Sequence, residues 1–152
     1  MYKNDLSLEV KVKVLAKINS TAKLVKGYRI DVDNGRSHAI CLDQPRDSGT
    51  DMGPSALELC VMSYAGCYAT IFAMNANKMR FPLKDIEVKV EAVKSEEVGT
   101  ITEANVDITV KMDAPKDRIQ RIHELTLKGC PVGVLFDKAG VKMSYNLRIE
   151  KE

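Results

Sequence analysis

The stretch "GPSALELCVMSYAGCYATIFAMNANKM", residues 53–79, decides the fold. Between Asp51 and Lys78 its only charged residue is Glu58, and Gly66 is the only interior helix breaker. Alanine, leucine and methionine, all strong helix formers, fill the rest. The pattern predicts a helix of about 24 residues, about 36 Å long at 1.5 Å per residue. Ser55-Ala56-Leu57-Glu58 fits a capping box, with Ser55 as N-cap and Glu58 reaching back to its N–H. A helix apolar on nearly every face is either a membrane span or the core of a globular fold. The run from Leu59 to Met74 ends at Asn75, short of the ~20 residues a span needs, and it carries Ser63, Tyr64 and Thr70. Alternating segments on both sides favour the second reading, a long buried central helix with no membrane.

Working outward, "LSLEVKVKVLA" (6–16) alternates Leu8, Val10, Val12 and Val14 against charge, the period of a half-buried strand. "GYRIDVDNGRSHAICLD" (27–43) reads as a hairpin, with Asn34-Gly35 supplying the positive φ of a tight turn. Residues 44–54, "QPRDSGTDMGP", are a loop by composition. Beyond the helix, 85–93 and 101–112 alternate again. A second helix begins near Pro115, carries Ile119, Ile122 and Leu125 or Thr126 on one stripe, and stops at Gly129. A last strand over 141–149 points Val141, Met143, Tyr145, Leu147 and Ile149 one way. The expectation is an α+β fold: about six mostly antiparallel strands around the central helix, in a single domain spanning 1–152.

A net charge of +2 with scattered basic residues gives no reason to expect nucleic acid or an anionic membrane as partner. Charges in "MYKNDLSLEV" occupy the place of a signal peptide's apolar core, so a cytoplasmic address is expected. Cysteines at 41, 60, 67 and 130 form no C-x-x-C pair, which argues against zinc, and His38 and His123 do not repair the spacing. No metal site is expected. Pro131 suits a first helical position and makes Cys130 an N-cap, where free N–H groups and the helix dipole lower a thiol's pKa. A small residue packing at a helix junction would read the same way. Cys67, in mid-helix, gains nothing from the dipole, and a packing thiol is its plain reading. Cys60, seven residues earlier, and Tyr64 share its face. Cys41 and Cys60 are assigned to packing. A cysteine hydrolase is disfavoured, because neither histidine is placed by sequence to serve as base.

The helix opening "G-P-S-x-x-E-L", its cysteine Cys67, and "KGCPVGVLF" with Cys130 63 residues later together resemble the OsmC/Ohr family of thiol peroxidases. The OsmC-like branch is the nearer match, and the order of elements fits from about residue 8 to 150. The resemblance implies an OsmC-like fold, an intertwined homodimer, and a two-cysteine peroxidase that reduces organic hydroperoxides in oxidative or osmotic stress defence. It implies Cys67 as the peroxidatic thiolate and Cys130 as its resolving partner. No cofactor is implied, and the reductant is a dithiol, in this family often a lipoyl protein. Arg46 stands where the family's activating arginine precedes a Gly-Thr loop; Arg29 and Arg36 are alternatives. Tyr64, Tyr68 and Phe72, with Phe81, could form an apolar substrate surround, or could be ordinary core. The family's glutamate, ten positions before the first cysteine, is Leu57 here, and Glu58 lies about 100° further round the helix. Asp47 or Asp51 could orient the arginine instead. The alternative reading is a non-catalytic or redox-sensing OsmC-like dimer that keeps its thiols.

Overall fold

The computed structural model describes residues 16–150. The strand expected over 6–16 therefore lies, but for Ala16, outside the described residues. The chain divides into two compact units, one ending at Gly53 and the other beginning at Pro54.

The first unit holds β1 (Thr21–Lys26), β2 (Arg29–Asp33) and β3 (Ala39–Leu42), antiparallel in the order β1-β2-β3. The β2–β3 hairpin turns where its sequence predicts. Gly35 has φ +69°, Asp33 Oδ1 accepts from the Gly35 N–H at 2.8 Å, and Asn34 Oδ1 accepts from the Arg36 N–H at 3.0 Å. β1 was not expected. All six of its residues are exposed, so its sequence shows no buried-exposed alternation to betray a strand, and ladder pairing to β2 is what defines it.

In the second unit, α1 (Ala56–Lys78) is followed by β4 (Leu83–Lys94), β5 (Ile101–Met112), α2 (Lys116–Gly129), α3 (Pro131–Lys138) and β6 (Lys142–Glu150). β5 is central, antiparallel to β4 and parallel to β6. Parallel pairing needs a long crossover, which α2 and α3 provide. The period-two pattern puts Val106, Ile108 and Val110 of β5 in the core, level with Tyr145, Leu147 and Ile149 of β6. The α+β, mostly antiparallel expectation holds, since three of the four strand pairings among the described residues are antiparallel.

α1 starts with the predicted capping box: Glu58 N–H donates to Ser55 Oγ at 3.3 Å, and Ser55 N–H donates to Glu58 Oε2 at 2.7 Å. It packs against β4, α2 and α3. Its burial is one-sided. Tyr64, Tyr68, Phe72 and Ala76, spaced four apart, are buried, while Cys60, Met62, Gly66, Thr70 and Met74 are exposed in the single chain. On α2 the buried stripe is Ile119, Ile122, His123 and Thr126, which settles the Leu125-or-Thr126 choice and adds a histidine.

Candidate functional site

α1 and the α2–α3 junction bring two sulfurs together. Cys67 lies in the fourth turn of α1, partly buried. Cys130 follows Gly129 at the end of α2 and caps α3, with Pro131 at its first position and the Gly133 N–H donating to Sγ at 3.4 Å. Cys130 is wholly buried, and its thiol donates toward Cys67 Sγ at 3.1 Å. Both thiols are free. A disulfide needs about 2.05 Å, so about 1 Å of closure joins them.

The expectation of a lowered pKa at Cys130 is corrected. Burial, reinforced by the hydrogen bond to Cys67, pushes the thiol up to about 11 from an ordinary 9.0, against the pull of the Gly133 N–H. The short helix offers the Gly133 and Val132 N–H groups to the sulfur, and removal from water costs the anion more than those donors return.

The aromatic candidates lie on the buried face of α1. Tyr64 is 1% exposed, and Tyr68 and Phe72 are fully buried. The Tyr64 hydroxyl hydrogen-bonds the Tyr145 hydroxyl at 2.9 Å, and its ring stacks on Phe136 of α3 with centroids 5.1 Å apart. The Tyr68 hydroxyl is bonded to His123 Nδ1. Burial raises the pKa of both tyrosines, so both keep their protons, and burial lowers that of His123. Phe81 is only partly buried. Sequence reasoning left His123 and Tyr145 out of this network. The signal was available: His123 stands four residues after Ile119 and three before Thr126, on the apolar stripe of α2.

In the first unit, Arg46 lies in the 43–53 loop, exposed, with Nε 3.7 Å from Asp51 Oδ2. Of the two loop carboxylates considered for orienting it, Asp51 is thus the one beside it. A residue not foreseen, Asp43, organises this loop. Its carboxylate is buried and accepts from the Gln44, Thr50 and Met52 N–H groups and from the Thr50 hydroxyl. Those bonds, the Thr50 hydroxyl foremost, hold its pKa down at about 2. Arg29 sits in β2 near Cys41, and Arg36 is exposed in the hairpin turn. Cys41 is partly buried, whereas Cys60, expected to pack, is exposed in the single chain. Glu58 is held by its capping bonds, which lower its pKa, and is a structural residue.

The family model described as OsmC-like protein matches residues 49–146. A search among curated proteins finds no match. Among solved structures, the chain is similar to an OsmC-like protein from Mycoplasma pneumoniae, at 16% identity with a TM-score of 0.79, covering 88% of this chain and 97% of that one. It is also similar to an organic hydroperoxide resistance protein OsmC from Legionella pneumophila, at 17% identity and TM-score 0.66, covering 91% and 99%. A third is the organic hydroperoxide resistance protein OhrB of Bacillus subtilis, at 18% identity and TM-score 0.60, covering 90% and 100%. At these identities the likeness is one of fold.

Proposed function

The chain belongs to the OsmC-like protein family, and from that premise we propose that it is a two-cysteine thiol peroxidase that reduces organic hydroperoxides. The 3.1 Å contact between Cys67 and Cys130 carries the reading. Two solved structures of the same fold are organic hydroperoxide resistance proteins.

Cys67, as thiolate, attacks the distal oxygen of the hydroperoxide. The O–O bond breaks, Cys67 becomes a sulfenic acid, and an alkoxide leaves. Cys130, kept protonated by its burial, passes its proton to the alkoxide and releases the alcohol. The Cys130 thiolate so formed attacks the Cys67 sulfur and expels hydroxide, which takes a proton from solvent. The balance is one thiolate, one thiol, one hydroperoxide and one proton, giving a disulfide, an alcohol and water. A dithiol, such as a lipoyl protein, then restores both thiols through a mixed disulfide and is itself oxidised. Arg46, steadied by Asp51, is proposed as the cation that favours the Cys67 thiolate. Tyr64, Tyr68 and Phe72 are proposed to back the site from the core, and apolar surface that a substrate's carbon chain covers is worth about 25 cal/mol per Å². That term selects alkyl or aryl hydroperoxides over hydrogen peroxide.

The working unit is proposed to be a cytoplasmic homodimer of single-domain chains. The exposed α1 face with Met62 and Met74 supports this, since a second copy would bury it.

Reduced protein mixed with cumene hydroperoxide and quenched in acid should show the Cys67–Cys130 disulfide within seconds. Cys67→Ser should abolish it, and Cys60→Ala should leave turnover largely intact. One observation favours a second reading, a redox-sensing dimer without efficient turnover: Leu57 replaces the family carboxylate, and Glu58 is committed to the helix cap. Oxidation over many minutes, no faster than that of a small free thiol, would establish that reading instead.

A further inference from the structure

We infer that His123 is a positioning residue that, through Tyr68, holds the Cys67 sulfur beside Cys130 and so sets how readily the pair closes to a disulfide. The closing step is that of the proposed peroxidase, and the inference rests on that reading for its biological purpose.

Tyr68 follows Cys67 directly on α1. His123 stands seven residues before Cys130, one face-repeat along α2, the helix that ends at that cysteine. The Tyr68–His123 bond is therefore a strut between the two elements that carry the sulfurs. Both ends are buried, His123 at 7% exposure, so water offers neither a substitute partner. Tyr145 of β6 also meets the imidazole edge-on, with centroids 5.9 Å apart. Tyr145 binds the Tyr64 hydroxyl, and Tyr64 packs on Phe136 of α3, the helix that Cys130 caps. The chain of contacts thus returns to α1 three residues before Cys67.

Protonation sets which partner donates. A neutral imidazole can accept at Nδ1 from the Tyr68 hydroxyl; an imidazolium carries a hydrogen there and donates to the phenolic oxygen instead. The groups that face the ring are Tyr68 from α1 and Tyr145 from β6, with Glu124 on its own helix. Burial favours the neutral ring and Glu124 opposes it, with burial the larger influence. Tyr68 keeps its proton through burial, and its neutral oxygen still accepts, so acid reverses the bond and the strut persists.

The test is a glutathione redox buffer, in which the Cys67–Cys130 disulfide forms at equilibrium whether or not the protein turns over peroxide. At about pH 8, His123→Phe should lower the disulfide-forming constant by about tenfold, the size of one lost buried hydrogen bond. Tyr68→Phe is the milder variant and should act in the same direction. His123→Asn, whose amide oxygen accepts without titrating, should stay within about twofold of wild type. Equal constants for wild type and both phenylalanine variants, or a His123→Asn constant as low as that of His123→Phe, would overturn the inference. The peroxidase reading fails separately: glutathione would close the disulfide normally while cumene hydroperoxide did not.

Discussion

Gly133→Ala sets helix propensity against crowding at the sulfur junction. Alanine is favoured over glycine in a helix by at most about 1 kcal/mol, and Gly133 lies in the first turn of the eight-residue α3. Against this, a Cβ at position 133 would stand 3.0 Å from Tyr64 Cε2 and 3.5 Å from both Cβ and Sγ of Cys130. Carbon pairs prefer about 3.5–4.0 Å, so the tyrosine ring must retreat by about 0.5 Å. That ring is buried, stacked on Phe136 and tethered through its hydroxyl to Tyr145, and it has little room to retreat. Overpacking of this kind costs about 1–3 kcal/mol. Crowding should win, for a net loss of about 0–2 kcal/mol. Urea unfolding of the reduced protein, followed by far-ultraviolet circular dichroism, should show the midpoint lowered by roughly 0.5 M at an unchanged slope of 1–3 kcal/mol per M. In a Tyr64→Leu background the clashing atom is gone, and the alanine should become neutral or stabilising, a coupling of about 1–3 kcal/mol. A Gly133→Ala protein more stable than wild type would show that the Tyr64 ring yields freely and that the junction is not rigidly packed.

Three further outcomes are expected. Ser55→Ala should cost about 1 kcal/mol by urea titration through loss of the α1 cap, while Glu58→Gln should leave the rate of peroxide-driven disulfide formation unchanged. Asp43 has its pKa lowered from 3.8 to about 2, so its hold on the 44–52 loop is complete above pH 3.8 and lost as pH falls through about 2. Amide exchange at Thr50 and Met52 should quicken over that window in wild type, and in Asp43→Ala at every pH. If a second copy covers α1, sedimentation should give twice 16.9 kDa, and Met62→Glu with Met74→Glu should return the mass to one chain; an unchanged mass in that variant would place the interface elsewhere.

The sequence by itself determined the elements whose signals are local. A capping box is written in four consecutive residues, so the start of α1 was legible at Ser55. The alternation in 101–112 became β5 with those same bounds, and Pro131 after Cys130 marked a helix junction with the thiol as its cap. The Asn34-Gly35 turn was equally plain, because Gly35 supplies the one positive φ in the five-residue connection between β2 and β3. β1 escaped for the converse reason: an exposed strand carries no burial pattern, and its identity comes from its neighbour.

Tertiary structure decided everything that depends on desolvation and on distance between remote residues. Helix-cap chemistry alone argued for an acidic Cys130; full burial reversed the direction, because the ionic cost of leaving water depends on every element packed around the sulfur. Spacing of 63 residues says nothing about separation in space, and only the packing of α2 on α1 sets the sulfurs 3.1 Å apart. The same packing turned His123, a polar residue on an apolar stripe, into the partner of Tyr68. Local preference is a property of neighbouring residues, whereas the charge state of a thiol is a property of the volume around it.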